Sequence, residues 1–173
     1  MKKLIGFALT ACGAAVLAVS LSAQAKPLMI GLTDANGKDV GTATITGTKT
    51  GVSIALNLKG LPAGAHAIHI HQTAKCEAPG FTTAGGHFNP EMKKHGMENP
   101  EGHHAGDMSN FTVGADGTAK MTVSDDSVTL ADGPHSIFTG GGTALVIHAA
   151  ADDMKSDPSG NAGARIACGA IIK

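Results

Sequence analysis

The chain has 173 residues, with 13 basic and 14 acidic side chains, nine histidines and a formal net charge of −1. So even a balance leaves no basic surface for nucleic acid or acidic lipid, and the length suits one domain with its own core. Twenty-four glycines and few aromatics, with Val, Ile and Thr in short runs, argue for strands joined by tight turns.

The chain opens on a targeting pattern over residues 1–25. Met1-Lys2-Lys3 supplies a positive start, Leu4 to Leu21 an apolar run, and Ala23-Gln24-Ala25 a small-residue cleavage site. Leu9-Thr10-Ala11-Cys12 could instead be a lipoprotein site, but the apolar stretch Ala14-Ala15-Val16-Leu17 follows it, which speaks against lipidation of Cys12. Cleavage removes Lys2 and Lys3 and leaves 11 basic against 14 acidic side chains. Residues 26–173 are then expected as the mature domain, soluble because no second apolar span of membrane length follows. Cys76 and Cys168 remain, and export places them where a disulfide persists.

Strands are expected at Pro27–Leu32, Gly41–Thr48, Gly51–Leu58, His66–His71, Asn110–Val113, Lys120–Val123, Thr143–His148 and Arg165–Ile172. Asn36-Gly37, Asp116-Gly117 and Asp132-Gly133 mark turns between them. The rhythm is that of an antiparallel sandwich or barrel. Two stretches break it, Gln72–Met108 and Ala149–Gly163, and long irregular loops in a compact domain are usually functional.

All nine histidines fall between positions 66 and 148. On a strand His69 and His71 share a face opposite Ile68 and Ile70, so the pair can hold one ion. His148 can emerge from a neighbouring strand, opposite the Leu145 and Ile147 face. His87, His95, His104 and Asp107 lie in the first loop, separated by seven, eight and two residues, and three nitrogens with one carboxylate make a closed tetrahedral zinc site. On spacing alone His103 could replace His104. Together these are more donors than one ion uses, and imidazole suits copper and zinc. His66 and His135 are expected to be structural. Met92, Met97 and Met108 stand near the loop histidines and are read as packing residues.

Six stretches together resemble the copper/zinc superoxide dismutases, in particular the exported bacterial type. They are Gly64–His71, Thr82–Pro90 with Gly85-Gly86-His87-Phe88-Asn89-Pro90, Lys94-His95-Gly96, His104-Ala105-Gly106-Asp107, Val146-Ile147-His148 with Asp152-Asp153, and Gly160–Gly169. The resemblance implies an all-β, eight-stranded antiparallel Greek-key barrel with two long functional loops, and one copper and one zinc per subunit. His69, His71, His87 and His148 would hold copper. His87, bridging through its second nitrogen, would hold zinc with His95, His104 and Asp107. Asp152 resembles the carboxylate that ties His69 to His95. Cys76 and Cys168 match the family's disulfide, and Arg165 the arginine beside the copper channel.

The implied activity is dismutation of superoxide to oxygen and hydrogen peroxide in the periplasm, with His87 and Arg165 as the catalytic side chains. Neither nucleic acid nor, after cleavage, a membrane is an expected partner; exported members include monomers and homodimers. Four residues separate His71 from Cys76, as in exported members, and the second loop lacks the acidic and lysine-rich insertion of cytosolic eukaryotic ones. A copper/zinc storage or chaperone protein and an adhesive sandwich with incidental histidines are the competing functions. The complete donor set argues against both.

Overall fold

The structure is a computed structural model, and it describes residues 26–173; the targeting pattern over residues 1–25 lies outside them. Nine strands follow in order: β1 Leu28–Asp34, β2 Asp39–Gly47, β3 Val52–Leu58, β4 Gly64–His66, β5 Ile68–His71, β6 Phe111–Val113, β7 Ala119–Asp125, β8 Thr143–His148 and β9 Arg165–Ile171. Alternation explains them. In β3, Val52, Ile54, Leu56 and Leu58 are buried while Ser53, Ala55 and Asn57 turn outward. Between β1 and β2 the Asp34 carboxylate accepts the Asn36 and Lys38 amides at 2.8 and 2.9 Å, and Gly37 takes the left-handed φ of 76° that closes the turn.

Seven strands form one antiparallel sheet in the order β5-β8-β9-β1-β2-β3-β7. The run β9-β1-β2-β3 is a Greek key, three hairpin-connected strands with a later strand returned beside the first. β4 pairs with β6, and because β4 leads into β5 while β6 leads into β7, this short pair joins the two edges of the larger sheet and curls it.

The expected strand His66–His71 is therefore divided, which raises the count from eight to nine. His66 pairs with Phe111 of β6, whereas Ile68 pairs with Ile147 of β8. Between them the Ala67 amide bonds Ala150 O at 2.8 Å and its carbonyl accepts from the His148 amide at 3.0 Å, so the chain changes partners there. Residues 126–142 are a third irregular stretch. Asp132-Gly133 lies between β7 and β8 as expected, but inside this long connection rather than at a tight hairpin, and Val128 and Ile137 anchor the stretch in the core.

The main core gathers Ile45, Ile54, Leu56, Ile68, Ile70, Leu145 and Ile147. On the other side of β8, Ala144 and Val146 pack with Phe81, Ala84 and Cys168. The first long loop thus covers the outer face, and Cys76–Cys168, 92 residues apart, fastens it to β9. A bulge between Ile147 and His148 makes His148 pair with Arg165 instead of Ile166. One extra residue in β9 brings that arginine opposite the last histidine.

Candidate metal centre

β5 pairs with β8 along one edge. Its other edge is taken by the first loop, in which Gln72 N bonds Gly86 O at 2.9 Å, Phe88 N bonds Ile70 O at 2.8 Å and Ile70 N bonds Gly106 O at 2.9 Å. His71 and His87 are thereby bridged partners, as are His69 and Asp107. Gly106 permits this approach, since a Cβ there would lie 2.2 Å from Ile70 O. The loop is also less polar inside than its sequence suggests: Phe88, Ala105 and Met108 reach the core. Met92 and Met97 do not pack, being 90% and 47% exposed.

Eight residues, all buried, meet here: His69, His71, His87, His95, His104, Asp107, His148 and Asp152. Their outer partners decide which nitrogens face inward. His71 Nδ1 donates to Gly85 O at 2.9 Å and His148 Nδ1 to Gly163 O at 3.3 Å. A carbonyl can only accept, so each Nε2 keeps a bare lone pair; yet these two Nε2 atoms face each other at 3.4 Å. His69 Nε2 donates to Asp152 Oδ2 at 2.8 Å, leaving its Nδ1 buried without a partner, and His87 Nε2 is likewise buried and unpartnered. Four lone pairs converging in a buried site call for a cation. Imidazole alone as donor fits copper.

The second group closes around His87 Nδ1, which lies 2.8 Å from Asp107 Oδ1 and 3.3 Å from His104 Nδ1. Asp107 Oδ1 is also 3.1 Å from His95 Nδ1 and 3.3 Å from His104 Nδ1. Donors about 2.0–2.1 Å from one tetrahedral ion stand roughly 3.3 Å apart, so three nitrogens and an oxygen already have zinc's spacing. His103 turns away, its Nδ1 bonding His104 O at 2.8 Å, and lines another cavity with Glu91 and His135. Geometry therefore brings in His104. His66 bonds two carbonyls, of His148 and Pro62, both at 2.8 Å, and is a strut. A third cluster, His69, His95 and Asp152, needs no ion, because His69 Nε2 and His95 Nε2 donate to the Asp152 carboxylate at 2.8 and 3.1 Å.

The sequence model of the copper/zinc superoxide dismutase family (SODC) matches residues 40–171. The chain belongs to this family. Cu-Zn superoxide dismutase 2 of Aquifex aeolicus (strain VF5) is 47% identical over 173 residues, covering 99% of each chain. The Cu-Zn superoxide dismutase of Caulobacter vibrioides is 40% identical over 79% of this chain and 80% of its own. Among solved structures, a superoxide dismutase-like protein from Bacillus subtilis superposes with a TM-score of 0.80 at 39% identity, over 83% of this chain and 97% of that one. The Cu/Zn superoxide dismutase from Brucella abortus gives 0.69 at 30%, over 84% and 99%.

Electrostatics keep this superoxide dismutase family site ready for cations. Burial, reinforced by neighbouring imidazoles, lowers His71 to about 2, His87 to about 4 and His148 to about 3, so these rings are neutral ligands at neutral pH. Burial raises the Asp107 carboxyl, but the hydrogen bonds of His104, His87 and His95 and the Gly96 amide outweigh it and hold it well below the usual range. Its Oδ2 accepts the Gly96 and His104 amides, both at 3.0 Å.

A cavity of about 540 Å³ opens onto His71, His87 and His148, with Pro158, Ser159 and Arg165 in its wall. Arg165 donates to Phe81 O and Gly85 O, both at 2.7 Å. No carboxylate among the described residues pairs with it. Sequence reasoning did not single out Asn110, whose amide group bonds the Asp152 backbone twice at 2.8 Å; a lone Asn before a strand gives no signal of that.

Proposed function

We infer that residues 26–173, after removal of the leading segment, dismute superoxide with one copper and one zinc per chain. The facing Nε2 lone pairs of His71 and His148, 3.4 Å apart, carry this reading. They support a redox-metal position at the foot of an open cavity, beside a second cluster whose spacing suits zinc. His69, His71, His87 and His148 would hold copper, which would supply the one-electron chemistry by which one superoxide is oxidised to oxygen and a second is reduced, with two protons, to hydrogen peroxide.

The chain's own residues do the rest. Arg165, charged at every relevant pH and free of a carboxylate partner among the described residues, draws the anion into the cavity and orients it. His87 alone turns both ring nitrogens inward, Nδ1 to the zinc group and Nε2 to the copper group, and Nε2, when it does not coordinate copper, is where a proton is held and handed to the reduced oxygen. His87 Nδ1, His95, His104 and Asp107 would hold zinc, which would have no redox role and would steady that ring.

Export to the periplasm follows from the targeting pattern, and the Cys76–Cys168 bond supports an oxidising compartment. Superoxide formed outside the cytoplasm is then the substrate.

The test is dismutation by the purified chain, assayed beside its metal content. Activity that needs copper, with about one copper and one zinc per chain, is the expected result. Full loading without activity would instead make the protein a metal store or carrier.

A further inference from the structure

We propose that Asp157 is a positioning residue that clamps the zinc loop to the wall of the cavity, so that zinc affinity depends on a side chain outside both ligand sets. The inference rests on the zinc position described above.

Asp152 is one tie between the two long loops, and it acts on imidazoles. Asp157 is a second, and it acts on backbone. Its Oδ1 accepts the main-chain amide of His95 at 2.8 Å, and its Oδ2 lies 3.7 Å from Lys94 Nζ. The seam around it is continuous: Glu98 N bonds Met154 O at 3.0 Å, Asn99 Nδ2 reaches Lys155 O at 3.4 Å, and Lys155 pairs with Glu98 at 2.9 Å. Gly96 completes the fit, since a Cβ there would stand 2.2 Å from Met154 O.

The next two residues after Asp157, Pro158 and Ser159, line the cavity that reaches His71, His87 and His148. The same short segment therefore holds a zinc ligand's backbone and forms the wall through which the anion passes. A ligand ring is placed as much by its main chain as by its outer hydrogen bond. With the His95 amide released, Nδ1 loses its fixed distance to Asp107 Oδ1.

Asp157→Ala removes the acceptor, whereas Asp157→Asn keeps an oxygen for the amide and discards only the charge facing Lys94. Zinc affinity is measured by chelator competition on the copper-loaded chain, with copper affinity and amide hydrogen exchange read in parallel. We expect Asp157→Ala to weaken zinc about tenfold, the low end for outer partners of metal ligands. Copper should stay within about twofold, and the His95 amide should lose protection while β5 amides keep theirs. Asp157→Asn should restore zinc to within about twofold of the unaltered chain.

Unchanged zinc affinity in Asp157→Ala would overturn the proposal, as would an Asn variant as weak as the Ala one, which would make the Lys94 pair the operative contact. Copper and zinc weakening together in Asp157→Ala would reduce Asp157 to a general structural role and overturn it too. If the unaltered chain bound no zinc, the site assignment itself would fail; that result differs from a chain that binds zinc equally well with and without Asp157.

Discussion

A histidine becomes a ligand by what holds its far side. His148 illustrates it: its Nδ1 is engaged by Gly163 O at 3.3 Å, so its Nε2 is committed inward. His148→Ala should keep the fold and zinc but abolish dismutation, checked by zinc content, circular dichroism and activity after copper loading; full activity would remove His148 from the copper set. His95 has the opposite charge history. Burial pulls it down, but Asp107 and Asp152 more than offset that and raise it to about 9. The metal-free chain therefore carries a proton there at pH 7, which zinc must displace. Adding zinc in weak buffer should release about one proton per chain at pH 7 and progressively less as pH rises past 9; constant release across that range would contradict the assignment. The side chains that meet in the two clusters were legible in the sequence because metal-binding chemistry restricts candidate ligands to few residue types. The atoms that set their tautomers were not, since Gly85 O and Gly163 O are backbone and any residue could supply them.

The strands owe their legibility to alternation: Val52 to Leu58 reads unambiguously, and β8 was placed to the residue. The break at Ala67 was not legible, because alternation runs on through His66–His71 while the strand's partner changes from β6 to β8, a fact of the whole sheet. Residues 126–142 escaped notice for a related reason, their two anchors Val128 and Ile137 being too far apart to make a period. The second loop turns on Gly160, whose φ is +61° and where a Cβ would meet Asp152 Oδ1 at 1.7 Å and His95 Nε2 at 2.8 Å. Gly160→Ala should cost about 1–3 kcal/mol and weaken copper and zinc together, because Asp152 holds a ring in each set. Metal affinities and thermal midpoints would show this, and unaltered affinities would mean that the loop accommodates the methyl group by moving.

For the molecule as a whole, the curled sheet, the covering loop and β9 are held together by one covalent tie. Cys76 and Cys168 are 92 residues apart, and in the chain-entropy account closing so long a loop restricts the unfolded chain by roughly 4–5 kcal/mol. Reduction should lower the denaturant midpoint of the metal-free protein accordingly, and the Cys76→Ser, Cys168→Ser double variant should match the reduced form. A midpoint unmoved by reduction would show that packing of Phe81 and Ala84 against Val146 suffices. The main core contains none of the clustered imidazoles: Ile68, Ile70, Leu145 and Ile147 face it, while His69, His71 and His148 stand on the opposite side of the same strands, the side on which Cys168 packs with Phe81 and Val146. The packing of the frame thus draws on neither cluster. A copy stripped of its ions should therefore keep its barrel and accept them again in place, which would tie recovery of function to ion supply and spare the synthesis of a replacement chain.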